Sequence, residues 1–384
     1  MTTTDSTFDD LRPYGDAEIP AAMQRIAASE MFPMLASYVY PGEEMEKVRA
    51  LIRSFRTIRD FQLEVMRCVN EQVIARSITD FSYSGMEQLD PDRRYLFVSN
   101  HRDIMLDSCL WQYVLYRNGH ETSEITFGSN LMSNPLVIDI GKSNKMFRVE
   151  RGGNLRDLHR ISLHLSEYIR HALTDKRQSV WIAQRNGRTK DGNDATDQGI
   201  IKMFAMSQPQ DKIAALAELN ITPLAISYEW EPCDILKVLE LYESQHVKYI
   251  KKPGEDLNSI LTGIVQPKGK VHIACCPPLT GDDLRAFDGC TYNEYCKQVA
   301  HLIDERIYSH YRLTPNNYIA HDIRYGQQHF SSHYTPQERE TFLQHLSQLQ
   351  QYDTCEYDAL ADILLGIYAN PLSRFRGSAS PNLT

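Results

Sequence analysis

The sequence predicts an α/β fold, and three observations predict it. From about residue 94 to residue 275, short β-rich runs alternate with helical stretches. That alternation is the pattern of a sheet layered with helices. Before it, a long segment places apolar residues at three- and four-residue spacing, and after it, roughly 291–372 is again helical in pattern.

The elements follow in order. Residues 1–15 are polar, and 17–85 read as helical. Val48, Leu51, Ile52, Phe55, Ile58, Phe61, Val65, Met66, Val69 and Val73 form one apolar stripe. With the shorter segment 19–40 this predicts an N-terminal helical layer. LDPDRR (89–94) marks the boundary, so the expected division is 1–90, a helical region, and 91–384, an α/β domain with a helical C-terminal extension. YLFVS (95–99), ITFG (125–128), MFRVE (146–150), SVWIA (179–183), PLAISYE (223–229) and KVHIAC (270–275) read as strands. Residues 104–117, 154–174 and 197–207 read as helices. A chain of 384 residues is long enough to bury a core without disulfides or metal.

Composition narrows the function. A net charge of −9 argues against a general nucleic-acid binder. Eight cysteines show no C-x-x-C pair and no metal-ligand spacing, which fits reduced thiols in a cytoplasmic protein. The first residues, MTTTDSTFDDLRPYGD, lack the basic and apolar regions of a signal peptide. No run approaches the roughly 20 apolar residues that span a bilayer. Any membrane contact is therefore expected to be peripheral, on the cytoplasmic face.

The chemistry concentrates in NHRDIMLD (100–107). A kinase catalytic loop also contains His-Arg-Asp, but it needs an Asn five residues after the Asp, where this chain has Ser108. It also needs a glycine-rich loop and an Asp-Phe-Gly, and neither occurs. The other reading pairs His101 with a carboxylate. His101 falls where a strand turns into a helix, the place where open sheets put ligand sites. Asp103 suits a helix N-cap, and Asp107 the first helical turn. A carboxylate there accepts from one imidazole nitrogen and leaves the other to take a proton. Taken alone, the pair is equally compatible with a surface His and an Asp that favours the helix N-terminus.

Four blocks in order resemble the glycerol-phosphate acyltransferase superfamily. NHRDIMLD (100–107) matches its first block at Asn100 and His101. KMFRVERGG (145–153) matches the second, with Arg151 at the phosphate-binding position. VWIAQRNGRTKDG (180–192) is similar to the third, with Gly187 and Arg188 as its Gly and Arg. ITPLAISYE (221–229) matches the fourth at Pro223. The layout is most similar to the soluble plastid-type glycerol-3-phosphate acyltransferases.

The resemblance implies a mixed sheet flanked by helices and an O-acyltransferase. Such an enzyme moves a fatty acyl group from acyl carrier protein or coenzyme A to glycerol 3-phosphate or a related lysophospholipid. The thioester is a co-substrate, and no bound cofactor or metal is implied. His101 would be the general base and Asp107 its partner. Arg151 and Arg188 would bind phosphate, supported by Asn100, Lys145, Asn186, Gly187 and Pro223, with Arg148, Arg185 and Lys190 as basic neighbours. Guanidinium suits that role because its planar fork matches phosphate oxygens. Met132, Leu136, Val137 and Ile138 are candidates for an acyl groove or for core. The basic run KYIKKPG (248–254) suits an acidic carrier protein, anionic lipid heads or plain solvent.

Two departures keep alternatives open. Five residues separate His101 from Asp107 where the family has four, and one added residue turns a helical side chain by about 100°. Either the turn absorbs it, or Asp103 is the partner. The third block also has Asn186 where the family usually has Glu. The different-class alternative is therefore a non-catalytic phospholipid or acyl-carrier binding protein of the same fold.

Overall fold

The computed structural model describes residues 5–132, 134–150 and 154–378. A seven-stranded mixed sheet runs β1-β7-β6-β2-β5-β3-β4. The strands are β1 (Ile78–Ser84), β2 (Leu96–Ser99), β3 (Glu124–Gly128), β4 (Met146–Val149), β5 (Val180–Ala183), β6 (Ile221–Tyr228) and β7 (Gly269–Cys275). β6, β2, β5, β3 and β4 are mutually parallel; β7 runs antiparallel to β6 and parallel to β1. LFVS of β2 and ITPLAISY of β6 are buried along their whole length, because helices cover both faces of the parallel part.

On one face Leu165, Ile169, Phe204, Val299 and Ile303 pack beneath the helices Leu155–Thr174, Gln198–Ala205 and Tyr292–His310. On the other, Leu110, Trp111 and Val114 of helix Leu106–Arg117 pack on Phe97, Trp181 and Ile226. The N-terminal layer, helices Ile19–Ala28, Phe32–Val39 and Met45–Ser54, has its own apolar cluster. It docks on helix Pro135–Ser143, where buried Asp139 accepts from Tyr14 Oη at 2.8 Å and Arg25 Nη2 at 2.6 Å. Helices Asp234–His246, Pro315–Arg324, Pro336–Ser347 and Tyr357–Ser378 close a fourth cluster. All eight cysteines are free thiols.

One expectation needs correction. The helical reading of 17–85 fails at Ile78–Ser84, which form β1 on the sheet edge. Helix Arg67–Ser77 runs straight into this strand with no Gly or Pro between them. Of the two readings offered for the acyl-groove candidates, packing has the structural support: Met132 is buried in the cluster under the sheet, Val137 and Ile138 pack partly buried against it, and Leu136 packs against the N-terminal layer.

The loop after β5 meets the C-terminal helix at Gly192. Its φ is +74°, and a Cβ there would lie 2.0 Å from the Ile367 carbonyl oxygen. Left-handed backbone alone costs a non-glycine residue about 1–2 kcal/mol. Gly192→Ala should therefore lose about 2 kcal/mol or more of stability in urea denaturation. An unchanged midpoint would mean that loop and helix do not meet this way.

Candidate active site

β2 delivers Asn100 and His101 to the carboxyl end of the parallel strands. Asn100 is fully buried, and its amide continues the ladder that β2 and β6 leave at Leu224. Nδ2 donates to the Ile226 carbonyl at 2.9 Å, and Oδ1 accepts from the Ile226 N–H at 2.8 Å. The second Nδ2 hydrogen goes to Asp194 Oδ2 at 3.1 Å. An amide has two donors, and both are used.

His101 comes next, with 12% of its side chain exposed. Its backbone carbonyl accepts from the Thr189 N–H at 2.7 Å, and its ring stands edge-on to Trp181 with centroids 5.6 Å apart. Nδ1 lies 2.8 Å from Asp107 Oδ2. Among the described residues Nε2 has no hydrogen-bond partner.

Asp107 is fully buried in the first turn of helix Leu106–Arg117. Oδ2 also accepts from the Arg102 N–H at 2.6 Å and the Asp103 N–H at 2.9 Å, and Oδ1 accepts from Tyr228 Oη at 2.8 Å. Burial alone would raise its pKa. The hydrogen bond and charge of His101, the Asp103 N–H and the Tyr228 hydroxyl outweigh burial and hold it below the ordinary carboxylate value. An ionised carboxylate only accepts, so whenever the imidazole is neutral Nδ1 carries its proton and Nε2 presents a lone pair.

The turn at 102–105 absorbs the extra residue of the five-residue gap. Two successive N–H groups wrap onto Asp107, so His101 still faces it. Asp103 is not the N-cap expected of it, since the helix starts at Leu106 with Met105 at the cap, but it serves the helix start from two residues ahead. Its Oδ1 accepts from the Met105 and Leu106 N–H groups at 2.9 and 2.8 Å, capping the helix start. Its Oδ2 is buried without a partner. Burial and the Asp107 charge push the Asp103 carboxyl up, against the Leu106 N–H and the Arg188 charge. The two carboxylates thus shift in opposite directions.

The loop after β5 flanks this turn, with the Gln184 N–H donating to the Ser99 carbonyl at 2.8 Å. Gly187 turns it at φ +76°, and Asn186 is exposed. Arg188 is partly buried, and its Nη1 has no partner; Gln184 Nε2 and Thr189 Oγ1 are also buried and unpartnered. Lys190 pairs with Glu240, and Arg148 with Glu150 at 2.6 Å. Pro223 lies inside β6 opposite Val98, not at the mouth of the site. Arg151 lies outside the described residues.

Lys145 does not join the group. Met146, Ile125, Trp181 and Phe97 are level in the sheet, so Lys145 is level with Leu96. Five residues at about 3.3 Å each along the strands, and three strand spacings of about 4.8 Å across the sheet, put it roughly 20 Å from His101. Its Nζ donates to the Thr122 carbonyl at 3.1 Å and to Gln178 Oε1 at 2.8 Å, in a cavity of about 540 Å³ at the far end of the strands.

Sequence reasoning missed the charges beneath the turn. Arg102 is fully buried and donates to Asp194 from Nη2 at 2.6 Å and to Glu231 from Nη1 at 2.9 Å. Lys237, also buried, donates to Glu231 at 2.6 Å and to the Arg102 carbonyl at 2.7 Å. The signal was Arg102 itself, the middle of the His-Arg-Asp triplet, flanked on both sides by residues already singled out. Among the described residues no group of three His, Cys, Asp or Glu side chains is placed to hold a metal ion.

Residues 80–227 match the family model described as Acyltransferase. A solved structure, the 1-acyl-sn-glycerophosphate (LPA) acyltransferase PlsC from Thermotoga maritima, is 13% identical over 75% of this chain and 94% of that one. The TM-score of that match is 0.35. No curated protein matches the chain by sequence.

The same loop carries a pH-sensitive contact. Asp304 Oδ1 accepts from Thr196 N–H at 2.8 Å and Thr196 Oγ1 at 2.7 Å. Burial, followed by the weaker effect of the Asp194 charge, pushes the Asp304 carboxyl up to about 6 against these hydrogen bonds. The unfolded value is about 3.9. Between the two, the folded state binds more protons, so stability falls as pH rises through about 6. Asp304→Asn keeps the Oδ1 acceptor and removes the charge. It should be more stable than wild type by on the order of 1–3 kcal/mol at pH about 7.5, with the gap narrowing at about 4.5. Urea midpoints at both pH values check this; a gap that widens toward acid would refute the sign.

Proposed function

We propose, from the premise that residues 80–227 are a domain of the acyltransferase family, that the protein is a glycerolipid O-acyltransferase. It moves a fatty acyl group from acyl coenzyme A or acyl carrier protein to a hydroxyl of glycerol 3-phosphate or a related lysophospholipid. The observation that carries this reading is the His101–Asp107 pair, with Nδ1 engaged by a buried carboxylate and Nε2 left as acceptor.

In this reading Nε2 takes the proton of the acceptor hydroxyl as its oxygen attacks the thioester carbonyl. The new C–O bond forms, the C–S bond breaks, and the imidazolium returns the proton to the departing thiolate. Asp107 holds the ring and offsets the charge that appears on it. Arg188, with a guanidinium nitrogen lacking any partner, is the described residue suited to a phosphate oxygen. Arg151 is assigned the same role on its place in the sequence.

The test is acyl transfer from coenzyme A and carrier-protein thioesters to glycerol 3-phosphate and to its monoacyl form. His101→Ala should lose about 10²–10⁴ in rate while keeping its circular dichroism. Asp107→Asn should lose orders of magnitude in kcat. Asp103→Asn should be mild in kcat and melting temperature, since Asn caps a helix about as well as Asp. A folded His101→Ala enzyme within tenfold of wild type would rule out the general base. Wild-type protein that binds these lipids and turns over none of them would be a binding protein instead.

A further inference from the structure

Helix Glu255–Val265 carries more aliphatic surface than its packing uses. Its fully buried positions, Ser259 and Gly263, are small, Ile264 is partly buried against the core under the sheet, and its exposed side carries Leu257, Leu261 and Val265, at i, i+4 and i+8. These three share one side of the helix. A soluble helix normally turns its apolar stripe inward. The strand of chain that leads in adds Val247 and Ile250, so Ile250 is 76% exposed, Val265 66% and Val247 56%. Lone exposed apolar residues need no explanation, but three on one side of a helix do.

The same segment is basic where its charge is free. The Lys251 ammonium pairs with Asp256, which also accepts from Asn130 Nδ2 at 3.0 Å. Glu255 accepts from the Lys252 N–H at 3.0 Å. The side chains of Lys248 and Lys252 make no ion pair among the described residues. Two acids are therefore engaged and two lysines are not.

We infer that this surface docks on a lipid bilayer containing anionic headgroups, with the aliphatic stripe in the headgroup–acyl boundary and Lys248 and Lys252 among the phosphates. The chemistry favours lipid over a protein partner. Binding hot spots on proteins are built from Trp, Tyr and Arg, with Leu and Val under-represented, whereas the stripe is Leu, Ile and Val. The helix carries Glu255 and Asp256 and no basic residue, but the lysine-bearing segment that leads into it sets a basic flank beside the aliphatic stripe, the arrangement that anionic headgroups attract. Among the described residues no helix is long and apolar enough to cross a membrane, so docking is the available mode. The position suits the proposed reaction as well. A Cβ on Gly263 would lie 2.2 Å from Asp103 Oδ2, so the inner face of this helix rests on the turn that holds His101. The inference rests on the acyl-transfer reading for its purpose, delivery of a lipid to that turn. The stripe and the lysines stand without it.

The experiment is co-sedimentation of the full chain with vesicles of phosphatidylcholine alone or with one-third phosphatidylglycerol. Turnover of glycerol 3-phosphate with acyl coenzyme A is measured in parallel without vesicles. Wild type should bind the anionic vesicles, and salt should weaken binding because exposed charges are screened. Leu257→Ser/Leu261→Ser/Val265→Ser should cut the bound fraction at least tenfold. Lys248→Gln/Lys252→Gln should abolish the preference for phosphatidylglycerol. Both should leave vesicle-free turnover and the elution volume on gel filtration unchanged. Wild-type vesicle binding without any turnover would retain the surface and reject the acyl-transfer reading. A stripe variant that binds vesicles like wild type, or that only dissociates a dimer, overturns the inference. So does wild-type protein that ignores both vesicles.

Discussion

The arrangement hangs on one buried cation. Arg102 leaves β2 pointing into the protein, where water cannot solvate its charge. Burial opposes that charge, but Asp194 and then Glu231 outweigh it and hold its pKa well above the ordinary value. Lys237 balances the second acid, so two cations meet two anions. Removing one member of such a set typically costs about 3–5 kcal/mol, because its partner is left charged and unpaired. The set ties together the exit of β2, the loop after β5, the exit of β6 and helix Asp234–His246. Asn100 joins through Asp194, and the Tyr311 ring lies 5.7 Å from the guanidinium.

With its side chain anchored below, Arg102 has its backbone fixed from both sides. Lys237 holds its carbonyl, and its N–H is aimed at Asp107. That aim lets a turn with one residue more than the family pattern close on the same His–Asp contact. The carboxylate then collects four donors: His101, two backbone amides and Tyr228. A group satisfied on both oxygens cannot swing, so the imidazole it holds is preorganised before any substrate arrives.

The parts of this that could be read from sequence were those carried by local pattern. The parallel strands showed because both-face burial leaves unbroken apolar runs such as LFVS and VWIA. His101 and Asp107 showed because a strand-to-helix turn is visible from its flanks. β1 was hidden because helix Arg67–Ser77 passes into it without a breaking residue. Lys145 was drawn in by proximity along the chain, although β4 carries the chain from one end of the sheet to the other between Lys145 and the following loop. Arg102, Asp194, Glu231 and Lys237 are spread over more than 130 residues, and nothing in a linear pattern joins them. Helices Asp234–His246 and Glu255–Val265 also escaped, since only the basic run between them drew notice.

The composition of helix Glu255–Val265 follows from the same constraint on one face only. Its inner face must be small because the capped turn lies directly beneath it. At position 263 any side chain larger than hydrogen would displace the Asp103 carboxylate, and with it the oxygen that caps Met105 and Leu106. Packing therefore dictates Gly263 and favours Ser259. It constrains Leu257 and Leu261 less, at 42% and 40% exposed, and Val265 least, at 66%. Three further aliphatic side chains on the solvent side of a helix that already sends Ile264 to the core are not explained by that packing. They require a separate physical reason, and an apolar phase meeting the protein beside the turn that holds His101 supplies one.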